Sequence, residues 1–351
     1  MDTTPSRDGV RRTKSGPVLH TFSYRAGVRI RDSVLACDAS GGSDLIFLSH
    51  ADLIDGDGGD AGARRRLPRA RVGRRKILTT DATLALSGAA GERLRPHALV
   101  AAYGRPFNLG EMRLELFASG YGPGAASLLC EDDGRRMVYS GPVGAKAAEV
   151  RVADALCLDG TFGSSRFVFP AIEQALESVA AFAAARLAEG QTPVVLAHTR
   201  GGLLACADVL ARAGMALRAH RAVMAAAASY RAAGLVVPAL ARFAGGLAAG
   251  EALLWPAHAR DAPALRRLAA PAFLLASGAA ADPATLESAR VDAAVPLSTM
   301  ADFAGLLRYV EATGAREVAV LHATDAELCQ TLRARGIDAY AVGPPEQISL
   351  F

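Results

Sequence analysis

The sequence lacks paired cysteines. Five are present in 351 residues, at Cys37, Cys130, Cys157, Cys206 and Cys329, each far from the next. That spacing excludes a CxxC redox motif and a zinc knuckle, and an odd, dispersed set does not make a disulfide framework. Reduced, mostly buried thiols are the expectation. Also lacking is an apolar run of the roughly 20 residues that a membrane-spanning helix needs. Arg221, Arg231, Arg242 and Glu251 interrupt the Ala-rich stretches, and the uncharged stretch between Arg267 and Asp282 contains Pro271. The opening residues MDTTPSRDGVRRTKSG carry charges but no apolar core, so no secretory signal is expected and the expected location is the cytoplasm. No Gly-Lys-Ser/Thr of a P-loop, no GxSxG elbow and no HExxH helix occurs, which sets aside three common routes to hydrolysis. No internal repeat is evident.

What is present is the composition of a folded protein. Hydrophobic residues make up 51%, charged residues 21%, and the mean hydropathy is +0.20. The length suffices for two cores, or for one large α/β domain carrying an insertion. A net charge of +4 and a pI near 8.9 are compatible with a nucleic-acid partner without demanding one.

Periodicity divides the chain. The first half reads as strands: a buried run at Leu45 to Leu48, an alternating run from Arg113 to Ser119, and a hairpin about Asp133-Gly134. From about residue 150 strands and helices alternate. ALCLDG is a strand, Pro170 opens a helix with Ile172, Leu176, Val179, Phe182 and Leu187 on one face, and Gly190 stops it. TPVVLAH is the next strand, with a helix from near Gly202, and this alternation implies a parallel sheet. Residues 220–290, rich in Ala, are expected to be mostly helical with a strand at Phe273 to Ser277. The end predicts helices over 301–313 and 325–335 and strands at VAVLHA and DAYAV.

Six segments in order carry a family resemblance: IFLSHADLID, KILTTDATLAL, LFASGYGPGAASLLCEDDGRRMVYSG, ALCLDGTFG, VDAAVPLSTMADFAGLLRYVE and VAVLHATDAELCQTLRARGIDAYAV. Together they resemble the metallo-β-lactamase/β-CASP nucleases, especially the ligase-associated DNA exonucleases and their relatives of mRNA 3′-end processing. The resemblance implies an α/β fold: an αββα metallo-β-lactamase sandwich formed by residues 20–165 and 290–351, an inserted β-CASP α/β domain over 166–289, and a flexible N-terminus over 1–19.

It also implies where chemistry would reside. The family hydrolyses phosphodiesters with two zinc ions that activate water and stabilise the developing oxyanion. The family's HxHxDH cluster is here His50-Ala51-Asp52-Leu53-Ile54-Asp55, keeping only its first His. The family His of "AGHxxGSA" is Tyr121, whose phenol, with an ordinary pKa of ~10, is a poor zinc ligand. The metal-bridging Asp after "YSG" is Pro142, which offers no donor. The His of "SDHAD" is Met300, a soft thioether. Asp159 matches the acidic residue of "ESTYG", and His322 matches the late-strand His, with Ala323 where Gly usually follows. Asp159 and His322 are thus the remnant catalytic candidates, and His50, Asp52, Asp55, Tyr121, Pro142 and Met300 are vestigial metal positions.

A basic run (Arg64, Arg65, Arg66, Arg69, Arg71, Arg74, Arg75 and Lys76) suits phosphate neutralisation or, equally, a solvated loop. Arg7, Arg11, Arg12 and Lys14 would add to it if folded nearby. His198 to Gly202 (HTRGG) reads as a strand-to-helix turn with Arg200 as a candidate phosphate contact. The expectation is a catalytically inactive homologue, without metal, that binds DNA or RNA or an active nuclease or ligase partner, away from membranes. The alternatives are a metal-dependent exonuclease with a rearranged site holding zinc or another single divalent ion, and an assembly subunit with no nucleic-acid role.

Overall fold

The computed structural model describes residues 20–40, 43–55 and 76–344. The basic residues 64–75, the N-terminal segment 1–19 and the Asp55 side chain, all named above, lie outside the described part.

The described residues form a mixed α/β fold with three sheets. The first runs in spatial order through β1 (Phe22–Tyr24), β2 (Val28–Ile30), β3 (Leu35–Cys37), β4 (Leu45–Phe47), β5 (Lys76–Thr79) and β6 (Ala98–Val100). Between its strands lie α1 (Asp52–Asp55), α2 (Asp81–Leu86) and α3 (Gly88–Leu94). The second sheet begins with β7 (Phe107–Leu109), β8 (Met112–Ala118), β9 (Ala126–Asp132), β10 (Arg135–Tyr139) and β11 (Ala155–Asp159). The β9–β10 hairpin closes through Asp133 and Gly134, both at positive φ, which is the turn that the strand twist favours.

The chain then builds a third, all-parallel sheet before returning. Its elements are α4 (Ile172–Ala188), β12 (Thr192–Ala197), α5 (Arg200–Arg212), β13 (Ala216–Ala219), α6 (Arg221–Ala232), β14 (Ala241–Arg242), β15 (Glu251–Pro256), β16 (Pro271–Ala276), α7 (Pro283–Ala289) and β17 (Ala293–Val295). Their spatial order is β14-β13-β15-β12-β16-β17. After α8 (Phe303–Thr313), strand β18 (Glu317–Leu321) joins the second sheet beside β11; α9 (Glu327–Ala334) and β19 (Asp338–Val342) complete it.

Alternation within the strands explains the layering. Leu35, Cys37, Leu45, Phe47 and Leu78 of the first sheet meet Leu114, Leu116, Leu128, Met137 and Cys157 of the second in one buried cluster. The opposite face of the first sheet, with Ala36, Ile46 and Ile77, packs on Leu84 of α2 and Leu94 of α3. The opposite face of the second, with Leu129, Val138, Leu156 and Val320, packs on Leu306 and Val310 of α8 and Leu328 and Leu332 of α9. Helix, sheet, sheet, helix is the resulting order, with each buried Leu or Phe worth roughly 1.5–3 kcal/mol. The third sheet buries one face under α4, α5 and α6, and the other around Trp255, Phe273 and Leu275.

One expectation fails. Residues 220–290 are not mostly helical: after α6 come strands β14, β15 and β16, short 3-10 turns and only the brief α7. Alanine favours helix, but Gly234, Pro238, Gly245, Gly246, Gly250 and Pro256 break the run before any helix can propagate. Between these breaks, Ala252 to Trp255 form a fully buried strand. All five cysteines are free and buried. Among the described residues no helix is long and apolar enough to cross a membrane.

Candidate functional site

The sequence-derived positions gather at the carboxyl ends of β4, β10, β11 and β18. Backbone bridges bring three of them together. Gly120 bridges Val143, and Gly144 bridges Met300. The Gly144 N–H donates to Ser119 O at 2.7 Å, Ala145 N–H to Thr299 O at 2.8 Å, and Ala301 N–H to Val143 O at 2.8 Å. The loops bearing Tyr121, Pro142 and Met300 are therefore stitched into one surface. Gly144 has to be glycine, since a Cβ there would lie 2.1 Å from Gly120 O.

That surface is apolar. Met300 is buried with Phe162 and Phe167, and Tyr121, Phe169 and Ala281 pack against them. Phe162 meets Phe167 and Phe169 edge-on, with ring centroids 5.1 and 4.9 Å apart. Pro142 is buried in the adjoining loop. Gly278, from the third-sheet side, abuts Phe162 so closely that a Cβ would come within 2.5 Å of the ring.

The polar members are each engaged locally. His50 is buried; its Nδ1 lies 2.7 Å from Ser49 Oγ, and its ring meets Tyr121 edge-on at 5.2 Å. Ser49 donates its hydroxyl and its N–H to Asp38 at 2.6 and 2.8 Å, and Tyr139 donates to the same carboxylate at 2.8 Å. Burial, reinforced by the Asp38 charge, pushes the Tyr139 phenol well above its ordinary range, so it stays a donor. Asp159 is buried, and Oδ1 accepts from the Thr161 N–H at 3.0 Å and the Thr161 hydroxyl at 2.6 Å. Asp159 stands in register with Leu321, which places His322, at φ +58°, at the same strand ends.

Among the described residues two side chains hold Asp52. Tyr121 donates its hydroxyl to Oδ2 at 2.8 Å, and Arg200 Nε donates to Oδ1 at 3.2 Å. Arg200 also donates to the carbonyls of Ala51 at 3.0 Å and Leu86 at 3.4 Å. Arg200 thus lies inside the junction between the third sheet and the sandwich. Lys76 is exposed at the start of β5. Among the described residues no group of three or more His, Cys, Asp or Glu side chains is placed to hold a metal ion.

Sequence reasoning missed three features. The Asp38–Ser49–Tyr139 network depends on contacts between the facing sheets and leaves no linear signal. Arg166 spans Asp282 and Asp325, at 3.4 and 3.0 Å, across the same junction. The aromatic cluster did leave a signal: Phe162, Phe167 and Phe169 crowd the segment just after Asp159.

No family model matches the chain. It is similar to a protein described as "Probable DNA ligase" from Opitutus terrae, with 30% identity over 198 residues. The match covers 56% of this chain and 20% of that relative, so the chain spans about one-fifth of its length.

Proposed function

We propose that the chain is a metallo-β-lactamase/β-CASP-type protein that works on DNA by binding it, alone or beside a ligase or nuclease, and does not hydrolyse it through two metal ions. In this reading the two facing sheets form the metallo-β-lactamase unit and the parallel sheet forms the inserted β-CASP unit. The insertion would span about 166–289, and the pairing of β17 with β16 supports carrying it on to Val295.

The observation that carries the proposal is the packing of Tyr121 and Met300 against three phenylalanines. A dinuclear centre needs several carboxylate and imidazole donors around two cations ~3.5–4 Å apart. At the matching positions this chain supplies an aromatic cluster, a proline, and an Asp52 already held by Tyr121 and Arg200. The donor set does not fit two zinc ions. Similarity to part of a protein described as a probable DNA ligase supports DNA over RNA as the partner.

Elemental analysis of protein never exposed to chelator, together with a nuclease assay on single- and double-stranded DNA and on RNA, tests the reading. We expect far less than one zinc per chain, no hydrolysis, and salt-dependent DNA binding. Two zinc equivalents with degradation would overturn the proposal. One equivalent with metal-dependent cleavage lost in His50→Ala would establish the rearranged single-ion site instead.

A further inference from the structure

Arg200 is a largely enclosed cation at the junction of the third sheet with the first, and its Nε donates to the Asp52 carboxylate at 3.2 Å. Its side chain is 10% exposed and that of Asp52 is 17% exposed. Such a pair is shielded from bulk salt without being sealed from solvent. The two residues come from different parts of the fold: Asp52 opens α1 after the His50 loop, and Arg200 opens α5 after β12. Tyr230, on α6, lies close enough to feel both charges; burial pushes its phenol up to about 12, with Asp52 adding to the rise and Arg200 opposing it. It therefore stays neutral and does not compete for the guanidinium.

A guanidinium fork receives carboxylate and phosphate oxygens with the same planar geometry. The Asp52 carboxylate occupies one donor of Arg200, the Nε–H, at 3.2 Å, the donor that a phosphodiester oxygen would take in its place. Tyr121 fixes that carboxylate from its other oxygen, holding it in place. The other two Arg200 contacts are to neutral backbone carbonyls, which anchor the side chain without neutralising it.

We infer that Asp52 is an internal competitor that masks Arg200, so that a nucleic-acid phosphodiester engages this cation only when Asp52 is displaced. The inference rests on the nucleic-acid reading above and adds an autoinhibitory contact to it. Asp52 and Tyr121 act here as positioning residues, through Arg200, and not as groups that touch the strand.

The test is fluorescence anisotropy of a labelled single-stranded DNA oligonucleotide over a range of salt, with wild type, Asp52→Asn, Tyr121→Phe and Asp52→Asn/Arg200→Gln. Asp52→Asn removes the competing charge and leaves a neutral amide that a phosphodiester displaces more readily, so this variant is expected to bind about tenfold more tightly, the equivalent of one charge-assisted contact. Its log-affinity against log-salt slope should steepen by about 0.7, one phosphate contact on a single strand. Tyr121→Phe, which preserves charge and shape, should shift affinity in the same direction by a smaller factor. Arg200→Gln in the Asp52→Asn background should cancel both gains. A purely structural role for the pair would leave the salt slope unchanged, and that outcome overturns the inference while wild-type binding leaves the nucleic-acid reading standing. Absence of binding by every variant overturns both. Inorganic phosphate, added at equal phosphate concentration, should not displace the strand from Asp52→Asn; if it does, the cation serves a free anion and the strand-specific form is wrong.

Discussion

The two ends of the second sheet make an instructive pair. At the amino end of β18, Glu317 accepts from the Thr21 N–H at 2.6 Å, from the Thr21 hydroxyl at 2.5 Å and from the Tyr340 hydroxyl at 2.9 Å, and it pairs with Arg135 at 2.7 Å. This network ties β1 to the far strands and needs no ligand to explain it. At the carboxyl end, Asp159 is served by Thr161, and Asp52, reaching over from α1 of the first sheet, by Tyr121 and Arg200. In α/β sheets the carboxyl ends of strands are where ligands bind. Here the carboxylates at that end are satisfied by protein donors, as at the structural end, and aromatic packing lies beside them. A strand edge becomes a site only where the protein leaves polar groups for something else to complete.

The comparison breaks most visibly if the aromatic cluster is not real core. Phe162→Ala should cost about 3–5 kcal/mol, the range for truncating a buried aromatic, measured by urea denaturation. A cost below about 1 kcal/mol would mean that the carboxyl end is still an open cleft and that the two ends differ after all. Next in size, Arg200→Ala strands a largely enclosed Asp52 and should cost about 2 kcal/mol by the same method. An exposed pair would cost less than about 1 kcal/mol.

Glu317→Gln sharpens the comparison from the other end, with an expected loss of about 1 kcal/mol at neutral pH. Burial pushes the Glu317 carboxyl up, but the bonds from Thr21 and Tyr340 and the Arg135 charge outweigh it and hold it below its ordinary value of 4.5. A depressed folded-state value contributes stability above the unfolded value, and that contribution disappears as pH falls through the folded one. Wild type and Glu317→Gln should therefore differ at pH 7 and converge in acid below the ordinary carboxylate range. A gap that persists there would show that shape, not charge, holds this end together. The smallest effect concerns the cysteines. Burial pushes the Cys130 and Cys206 thiols up to about 12, and those of Cys37 and Cys157 well above the ordinary range. A colorimetric thiol reagent at pH 8 should label none of these four in the native protein and all five cysteines in denaturant.

Much of the architecture was legible because local periodicity and burial agree. The Asp133-Gly134 hairpin, the helix after Pro170 and the closing strand–helix alternation all appear at the positions their sequences predict. The Ala-rich stretch misled because alanine content favours helix at any position, whereas the Gly and Pro breaks fix how long each element can be. Arg200 reads as a phosphate contact from its place in HTRGG; the structure places it on Asp52, a residue 148 positions away. No linear pattern reports such a pair.

The sequence alone determined the donor chemistry at three positions: Tyr121, Pro142 and Met300 have the chemistry they have in any fold. Only the tertiary structure decided what surrounds them, because packing against Phe162, Phe167 and Phe169 and the capture of Asp52 by Arg200 depend on which strand ends meet. Side-chain identity is a local property, while the occupancy of a site is a property of neighbours brought together from across the chain.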